Sequence, residues 1–383
     1  MWANLSIRIQ GYTNMTTMKK SKIGIVGCGN ISAIYFKTLA QFQNTEIVAC
    51  ADLIIERAKA KATEFKIPKA CLVEELLQDP EIEIVVNLTI PHAHAQVALF
   101  ALNAGKHVYG EKPLAVDRKD GDAILRKAKT VSKRVGSAPD TFLGGGIQTC
   151  RKIIDDGLIG RPIAATAFMM CHGHERWHPD PDFYYQLGGG PMFDMGPYYL
   201  TALINLMGPV RRVTAITQTT FAERLITSKP KSGTVIKVKV PTHVAGILEF
   251  ACGAVGTIIT SFDVWHAELP RIEIYGMEAS LSVPDPNSFG GPVRIRGKDD
   301  KEWKEMPLSH GYAENTRGIG VADMASAIRS GRKHRACGEM AFHVLDIMQA
   351  LHESSDTGRH VQLTSTCEKP AALPTGLMQW TID

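Results

Sequence analysis

The segment from Lys22 to Ser32, KIGIVGCGNIS, places two glycines at the end of a short β-branched run. The run has the pattern of a buried parallel strand, and a helical pattern opens directly after the glycines. Glycine at 27 permits a tight turn, and glycine at 29 lets the backbone approach a pyrophosphate, which the free N–H groups of the helix start would face. The segment therefore predicts a dinucleotide-binding turn made by Gly27, Cys28, Gly29, Asn30 and Ile31.

A second apolar run, residues 46–51, ends in Asp52. This is about the distance, ~20 residues, at which an acidic side chain binds the adenosine ribose in such a site. A carboxylate there repels a 2′-phosphate, so NAD is the expected cofactor and NADP the alternative. A solvated turn residue is the other interpretation of Asp52. Ser32 stands where the motif usually has Gly or Ala, but serine is small enough for close packing of the helix on the strand.

Strands and helices alternate from Lys22 to about Ala138, which is typical of a parallel, doubly wound sheet. Ligands of such sheets lie beyond the carboxyl ends of the strands. The strand over 82–88 and the next over 107–109 should therefore direct the loops that follow them toward the cofactor. Those loops carry Thr89, Pro91, His94, Glu111 and Lys112. For His94, a local hydrogen bond is an equally good interpretation.

Beyond Pro162 the apolar residues alternate in many short runs with few helices between them, which predicts a largely antiparallel sheet. Two late helices, Ile319–Ser330 and Glu339–Ser354, are expected to pack on that sheet. The predicted fold class is α/β, with an N-terminal Rossmann domain and a C-terminal α/β domain. We expect an unstructured lead-in over 1–21, a dinucleotide-binding domain over 22–140, and a domain for substrate binding and oligomerisation over 141–383. Met15 and Met18 are alternative starts of the chain.

The composition is that of an ordinary globular protein, with 44% hydrophobic and 21% charged residues. A net charge of +4, spread over 383 residues, does not indicate a basic surface that would bind nucleic acid. No run approaches ~18 apolar residues, so no membrane span is expected, and the first 20 residues lack a secretory signal pattern. The eight cysteines are scattered without a C-x-x-C motif, which favours free thiols in a reducing cytoplasm.

Four motifs together, GCGNIS, TIPHAHAQVA, AGKHVYGEKPLA and GGGPMFDMGPYY, resemble the Gfo/Idh/MocA family of oxidoreductases. The resemblance implies that Lys112 lies between nicotinamide and substrate, that the Lys112–Pro113 bond can be cis, and that the protein forms a homodimer or homotetramer. Independently of the family, an ammonium beside a secondary hydroxyl favours its alkoxide character and fixes its orientation. Glu111 then orients or balances charge, and a surface lysine before a loop proline is the alternative for Lys112.

Relatives typically carry Asp-x-Gly-x-His in the last of these motifs, whereas this chain has Tyr198 in the place of the histidine. Asp194 and Tyr198 are four residues apart and share one face of a helix. A phenol is a poor base at neutral pH unless positive charge lowers its pKa. We expect Tyr198 to accept the proton of the substrate, tuned by Lys112 and Asp194. The alternatives are an aromatic packed in the helix for Tyr198, and a helix cap for Asp194, which is compatible with a catalytic role.

The segment from His172 to His178, HGHERWH, could be read as a metal site, but its spacing is not that of a helix-borne H-E-x-x-H motif. We expect no metal there and interpret the segment as a loop over the active-site mouth. The predicted substrate-binding residues are Asp140, Trp177, His178, Tyr185, Asp194 and Tyr198. His178 is also the second candidate for the base.

The expected activity is transfer of a hydride between a nicotinamide cofactor and a secondary hydroxyl of a sugar, polyol or glycoside. One alternative is an NAD-dependent glycosidase or lyase, in which transient oxidation acidifies a neighbouring C–H bond and elimination follows. The other alternative, a cofactor-bound regulator without catalysis, is disfavoured because Lys112 is present.

Overall fold

The computed structural model of the chain describes residues 19–383. Six strands form a fully parallel sheet in the order 3-2-1-4-5-6. They are β1 (Ser21–Val26), β2 (Thr45–Ala51), β3 (Lys69–Cys71), β4 (Ile84–Asn87), β5 (His107–Gly110) and β6 (Val135–Ser137). The connecting helices are α1 (Ser32–Leu39), α2 (Ile55–Phe65), α3 (Val73–Gln78), α4 (Pro91–Asn103) and α5 (Arg118–Thr130). Most of the expected lead-in lies outside the described residues, but Ser21 already belongs to β1.

The second sheet has nine strands and is antiparallel except for one parallel pair, β7–β12. Its order is 16-15-14-13-7-12-11-8-17, and β9 and β10 form a separate hairpin. The strands are β7 (Pro162–Met170), β8 (Val210–Gln218), β9 (Glu223–Leu225), β10 (Val235–Lys237), β11 (His243–Phe250), β12 (Val255–Ser261), β13 (Ile272–Gly276), β14 (Ala279–Val283), β15 (Val293–Gly297), β16 (Lys304–Met306) and β17 (Val361–Gln362). The predicted fold class is confirmed.

Five helices accompany this second part of the chain: α6 (Gly145–Asp155), α7 (Gly190–Asp194), α8 (Gly196–Met207), α9 (Ile319–Ser330) and α10 (Gly338–Thr357). The prediction for the two late helices holds for α10, which packs on β8 but also on α5. For α9 the prediction is wrong, because its main contacts are with α1 and β6 of the first sheet. An apolar face in the sequence indicates that a helix is buried, but not which element covers that face. No helix within residues 19–383 has the length and apolarity needed to cross a membrane.

Asp140 connects the end of the first sheet to the start of α9. Its side chain is 1% exposed, and its Oδ2 accepts hydrogen bonds from the backbone N–H groups of Gly318 at 2.8 Å and Gly320 at 3.0 Å. A carboxylate is favourable at the N-terminus of a helix, where N–H groups lack partners within the helix. The prediction that Asp140 contacts the substrate is therefore wrong: the side chain is enclosed by the fold.

We expect the Asp140→Asn variant to change how stability depends on pH. Burial raises the pKa of Asp140 from its ordinary value near 3.8 to about 6, against the opposing effect of the two N–H donors. The folded protein therefore binds a proton that the unfolded chain releases, and this side chain makes the free energy of unfolding fall as pH rises between those two values. The amide of the variant cannot titrate, so the variant should gain roughly 3 kcal/mol relative to wild type between about pH 4 and about pH 7.

Urea unfolding of both proteins across this pH range measures the difference. The exposed Asp299→Asn variant is the matched control. A difference between variant and wild type that is independent of pH would contradict the assignment.

Candidate functional site

The two positions of the first turn that carry glycine require it for different structural reasons. Gly27 has a φ of 99°, and a Cβ there would lie 2.7 Å from the backbone of Leu88, so the fold itself requires glycine. Gly29 is exposed, and a Cβ there would have no heavy atom within 4 Å. The Ser32 hydroxyl donates to the carbonyl oxygen of Gly29 at 2.6 Å, which fixes the turn at the start of α1. Space above Gly29 is what a pyrophosphate needs to reach the backbone.

Asp52 lies directly beside this turn. Its carboxylate accepts hydrogen bonds from the backbone N–H groups of Cys28 at 2.8 Å and Ile54 at 2.9 Å, and the residue is 8% exposed. The interpretation as a solvated turn residue is therefore wrong. The open turn, the free N-terminus of α1 and the fixed carboxylate fit a dinucleotide, and the exposed Asn30 and Ile31 lie next to that space.

The next predicted contacts, Thr89, Pro91 and His94, lie in the loop after β4 and in the first turn of α4. Thr89 and Pro91 are half-buried. His94 is buried, and its two ring nitrogens lie 2.7 Å from the carbonyl oxygen of Pro113 and 3.0 Å from that of Thr89. Burial lowers the pKa of His94, against the effect of these carbonyls, so the ring is neutral and donates one N–H. The local interpretation is thus the one that the geometry supports: His94 fastens the loop after β4 to the loop after β5.

The loop after β5 presents Glu111 and Lys112 on opposite sides. The Tyr35 hydroxyl donates to Oε1 of Glu111 at 2.8 Å, and the Lys112 backbone N–H donates to Oε2 at 3.1 Å. Glu111 thus fixes the backbone of its neighbour, as expected for an orienting residue. The Lys112–Pro113 bond is cis.

Lys112 and Asp194 form the centre of the site. The Lys112 ammonium donates at 2.7 Å to Oδ1 of Asp194 and at 2.7 Å to its backbone oxygen. The other carboxylate oxygen, Oδ2, lies 3.1 Å from Nε2 of His174. These three side chains come from the loop after β5, the end of α7 and the loop after β7. The structure therefore brings together two predicted residues and one, His174, that had no assigned role.

Opposite charges keep this pair ionised in spite of burial. Burial alone would lower the pKa of Lys112, but the charges of Asp194, Tyr198 and Glu111 outweigh it and hold the pKa above its ordinary value. Burial alone would raise the pKa of Asp194, but Lys112 and His174 hold it well below its ordinary value. Lys112 is therefore an ammonium throughout the neutral range and cannot itself accept a proton.

Tyr198 lies next to the ion pair, in the first turn of α8. Tyr198 is 7% exposed, and the Lys112 Nζ lies 5.3 Å from the centre of its ring. Burial raises the pKa of the phenol; Lys112 and Arg317 oppose this effect, and Glu111 adds to it. Asp194 ends α7 instead of capping α8, whose first residues are Gly196 and Pro197, so the interpretation as a helix cap is wrong.

The side chains of the segment 172–178 point in different directions. His172 stacks on Trp265 with 3.4 Å between ring centres, whereas Glu175 pairs with Arg224 at 2.9 Å. Within residues 19–383, no cluster of three His, Cys, Asp or Glu side chains is arranged to hold a metal ion. Trp177 is 62% exposed. The segment 172–178 forms one wall of the site, to which it contributes the side chain of His174.

His178 and Tyr185 differ in their access to the site. His178 is half-buried, its Nδ1 accepts the backbone N–H of Asp180 at 3.1 Å, and burial lowers its pKa. Tyr185 is fully buried, and its hydroxyl donates to Glu175, so the prediction that it contacts the substrate is wrong. The neighbouring Tyr184 lies at the site instead: its ring lies 4.3 Å from that of His174, and the charges of Asp194 and Lys112 act on its pKa, which burial raises.

Sequence reasoning missed three residues of the site: His174, Tyr184 and Arg317. His174 and Tyr184 lie within segments that the sequence had marked, and only the choice of side chain was open. Arg317 belongs to no motif, and its guanidinium centre lies 6.0 Å from the Tyr198 ring centre. Only the tertiary structure brings it there.

Known proteins share both parts of this chain. Residues 21–138 match the model of an oxidoreductase family with an NAD-binding Rossmann fold, and residues 147–282 match the Gfo/Idh/MocA C-terminal domain. Inositol 2-dehydrogenase of Salmonella typhimurium is 34% identical over 157 residues, which are 40% of this chain and 45% of that protein. The chain thus matches less than half the length of this relative. The 1,5-anhydro-D-fructose reductase of Ensifer adhaerens is 26% identical over 347 residues, covering 89% of this chain and 98% of that protein.

Solved structures share the fold. An NAD binding oxidoreductase from Klebsiella pneumoniae superposes with a TM-score of 0.79 at 21% identity, covering 90% of this chain and 100% of that one. Levoglucosan dehydrogenase in complex with NADH gives 0.77 at 22% identity, covering 91% and 100%. The resemblance carried by the four motifs is confirmed, and the chain belongs to the Gfo/Idh/MocA family of oxidoreductases.

Proposed function

We propose that this protein is an NAD-dependent oxidoreductase that oxidises or reduces a secondary carbinol of a sugar, polyol or glycoside. The observation that carries the proposal is the buried Lys112–Asp194 ion pair, with Tyr198 beside it at the carboxyl end of a Rossmann sheet. Inositol 2-dehydrogenase and 1,5-anhydro-D-fructose reductase among the relatives support the substrate class.

The residues that would hold the cofactor are those of the first turn and the strand-end loops. Gly27, Cys28, Gly29, Asn30 and Ile31 would surround the pyrophosphate, and Asp52 would accept the ribose hydroxyls. Thr89, Pro91 and Glu111 would line the nicotinamide side, and His94 would hold their loop in place. When bound, NAD supplies the hydride acceptor. The carboxylate of Asp52 favours NAD over NADP, which stays the alternative.

Lys112, Asp194 and Tyr198 divide the remaining chemistry between them. The Lys112 ammonium would hold the substrate oxygen and stabilise its alkoxide character, and Asp194 would fix that ammonium in place. Tyr198 would accept the hydroxyl proton, because its phenol lies beside the ammonium and is not itself part of the ion pair. His178 is the second candidate for this role.

The wall of the site suits a carbohydrate ring. Trp177 is exposed and contacts the rings of His174 and His178, and the ring of Tyr184 contacts the same two histidines. Such a wall combines aromatic faces with polar tips, which suits a ring that has apolar faces and hydroxyl edges. We assign substrate contact to Trp177, His178 and Tyr184.

The proposed organisation divides the chain near residue 140, with the cofactor held by residues 22–140 and the substrate by 141–383. The second part would also join subunits, because the outer face of its sheet carries exposed apolar side chains on neighbouring strands: Ile216, Ile247 and Val255. We also propose a cytoplasmic location, supported by eight free cysteines and testable by cell fractionation.

Reduction of NAD and of NADP, followed by absorbance, across a panel of hexoses, inositols, anhydrosugars and glycosides tests the activity. We expect net NADH formation with at least one of these compounds and a preference for NAD. Cleavage of a glycoside without net NADH would instead show the oxidation–elimination reaction.

Two variants serve as controls in this assay. Lys112→Met should lose activity but keep NADH binding, because it removes the ammonium and leaves the turn unchanged. Gly29→Val should keep the fold but lose NADH binding, because its side chain would fill the space above the turn. Full turnover in Lys112→Met would overturn the proposal.

We expect kcat/KM to rise with pH between about pH 6 and about pH 10, because burial raises the pKa of Tyr198 and only the phenolate accepts a proton. Tyr198→Phe should lose ~10²- to 10⁴-fold in kcat and lose this dependence on pH. Tyr184→Phe, which changes a neighbouring phenol, should keep it. Near-normal turnover of Tyr198→Phe would transfer the role of base to His178.

Ile216→Glu should shift the protein to a smaller assembly in light scattering, because Ile216 is 76% exposed and a charge there cannot be buried between subunits. Leu72→Glu, at an exposed site beside the first sheet, is the control. A monomeric wild type would contradict the proposed assembly.

A further inference from the structure

Arg317 lies in the loop before α9, and its side chain extends to Tyr198 beside Asn287, a residue of the loop between β14 and β15. One terminal nitrogen donates to Oδ1 of Asn287 at 2.6 Å and to its backbone oxygen at 3.2 Å. The other donates to Oδ1 of Asn315 at 2.9 Å. The guanidinium centre lies 6.0 Å from the ring centre of Tyr198 and 5.9 Å from that of Phe289. Its orientation is therefore fixed by acceptors on both sides.

The charge of Arg317 has no partner in direct contact. Within residues 19–383, no carboxylate oxygen lies within 4.0 Å of its side-chain nitrogens, whereas Arg224 and Arg335 both pair with buried carboxylates. Amide and carbonyl oxygens orient a guanidinium without neutralising it. The side chain is half-buried, so water screens its charge less than at an exposed site.

Tyr198 thus lies beside two cations, of which one is neutralised by a contacting carboxylate and the other is not. The ammonium of Lys112 lies 5.3 Å from its ring centre but is compensated by Asp194 at 2.7 Å. The guanidinium of Arg317 is compensated only over longer distances. An unneutralised cation beside a phenol favours its charged form. The charged and titratable groups that surround Tyr198 come from the loops after β5 and β6, the loop before α9, α7 and the segment before it: Lys112, Glu111, Asp140, Arg317, Asp194 and Tyr184.

We propose that Arg317 is a positioning residue for the base: its uncompensated guanidinium charge stabilises the phenolate of Tyr198. The inference rests on the proposed oxidoreductase function. In that reaction the phenolate oxygen would form a bond to the hydroxyl proton, whose bond to the substrate oxygen breaks, and would become a neutral phenol. The oxidised nicotinamide, when bound, would supply the acceptor for the hydride of the same carbinol, so that the alcohol is oxidised to a ketone with NADH as the reduced product.

The test measures the titration of Tyr198 directly, in the cofactor-free protein. The protein is labelled with a fluorinated tyrosine, whose phenol ionises at lower pH, and the Tyr198 signal is assigned in ¹⁹F NMR by its absence from Tyr198→Phe. In Arg317→Gln we expect the titration midpoint of this signal to rise by about 1 pH unit. Arg317→Lys keeps the charge and should stay within a few tenths of a unit of wild type. Arg296→Gln, at an exposed arginine of β15, is the matched control.

Kinetics supply the second measurement. We expect kcat/KM of Arg317→Gln to fall about tenfold at neutral pH and to recover as pH rises, since one pH unit in the midpoint is a factor of ten in phenolate. A loss of activity that is equal at every pH, or an unchanged midpoint in Arg317→Gln, would overturn the inference. A shifted midpoint in a protein without any dehydrogenase activity would support the electrostatic role and reject the proposed function.

Discussion

The buried ion pair between Lys112 and Asp194 connects the loop after β5 with α7, which packs on β11 and β12 of the second sheet. Removing two charges from water is costly, and only close contact with further hydrogen bonds offsets that cost. Here the ammonium also donates to the backbone oxygen of Asp194, and His174 approaches the second carboxylate oxygen. The pair therefore fixes the distance between the two sheets at the site. The other proposed catalytic contacts depend on this distance.

The same burial that makes this pair rigid works against a phenolic base. Tyr198 is enclosed, and enclosure favours its neutral form. Lys112 and Arg317 both oppose that effect, and of the two cations Arg317 is the one whose charge no contacting carboxylate neutralises. In the proposed reaction the two cations would have different tasks: Lys112, compensated by Asp194, would orient the substrate oxygen, and Arg317, held by amides, would act on the proton acceptor.

Sequence patterns predict the first sheet well because its signals are local. The bounds of α2 and α5 follow from periodicity and flanking residues, and Gly27 and Asp52 from turn chemistry and spacing. Predictions failed where a side chain's direction depended on distant segments. Residues 182–185 form a 3₁₀ turn, in which neighbouring side chains point about 120° apart, so Tyr185 points into the core while Tyr184 reaches His174. Asp140 is a plausible polar contact in the sequence and becomes an anchor only because α9 returns to the first sheet from nearly 180 residues away.

That return also explains how an arginine outside every motif reaches the site. Asp140 holds the N–H groups of Gly318 and Gly320, and the Thr38 hydroxyl of α1 donates to the backbone oxygen of Arg317. The loop is therefore fixed to α1 and to the loop after β6 at the peptide unit that directly follows Arg317, the residue whose side chain extends to Tyr198. Asp140 does not touch the substrate, yet the position of the charge beside the base depends on it. A change at Asp140 should therefore move Arg317 and so alter the electrostatic environment of Tyr198. Asp140, which the sequence suggests as a substrate contact, instead supports the position of this charge.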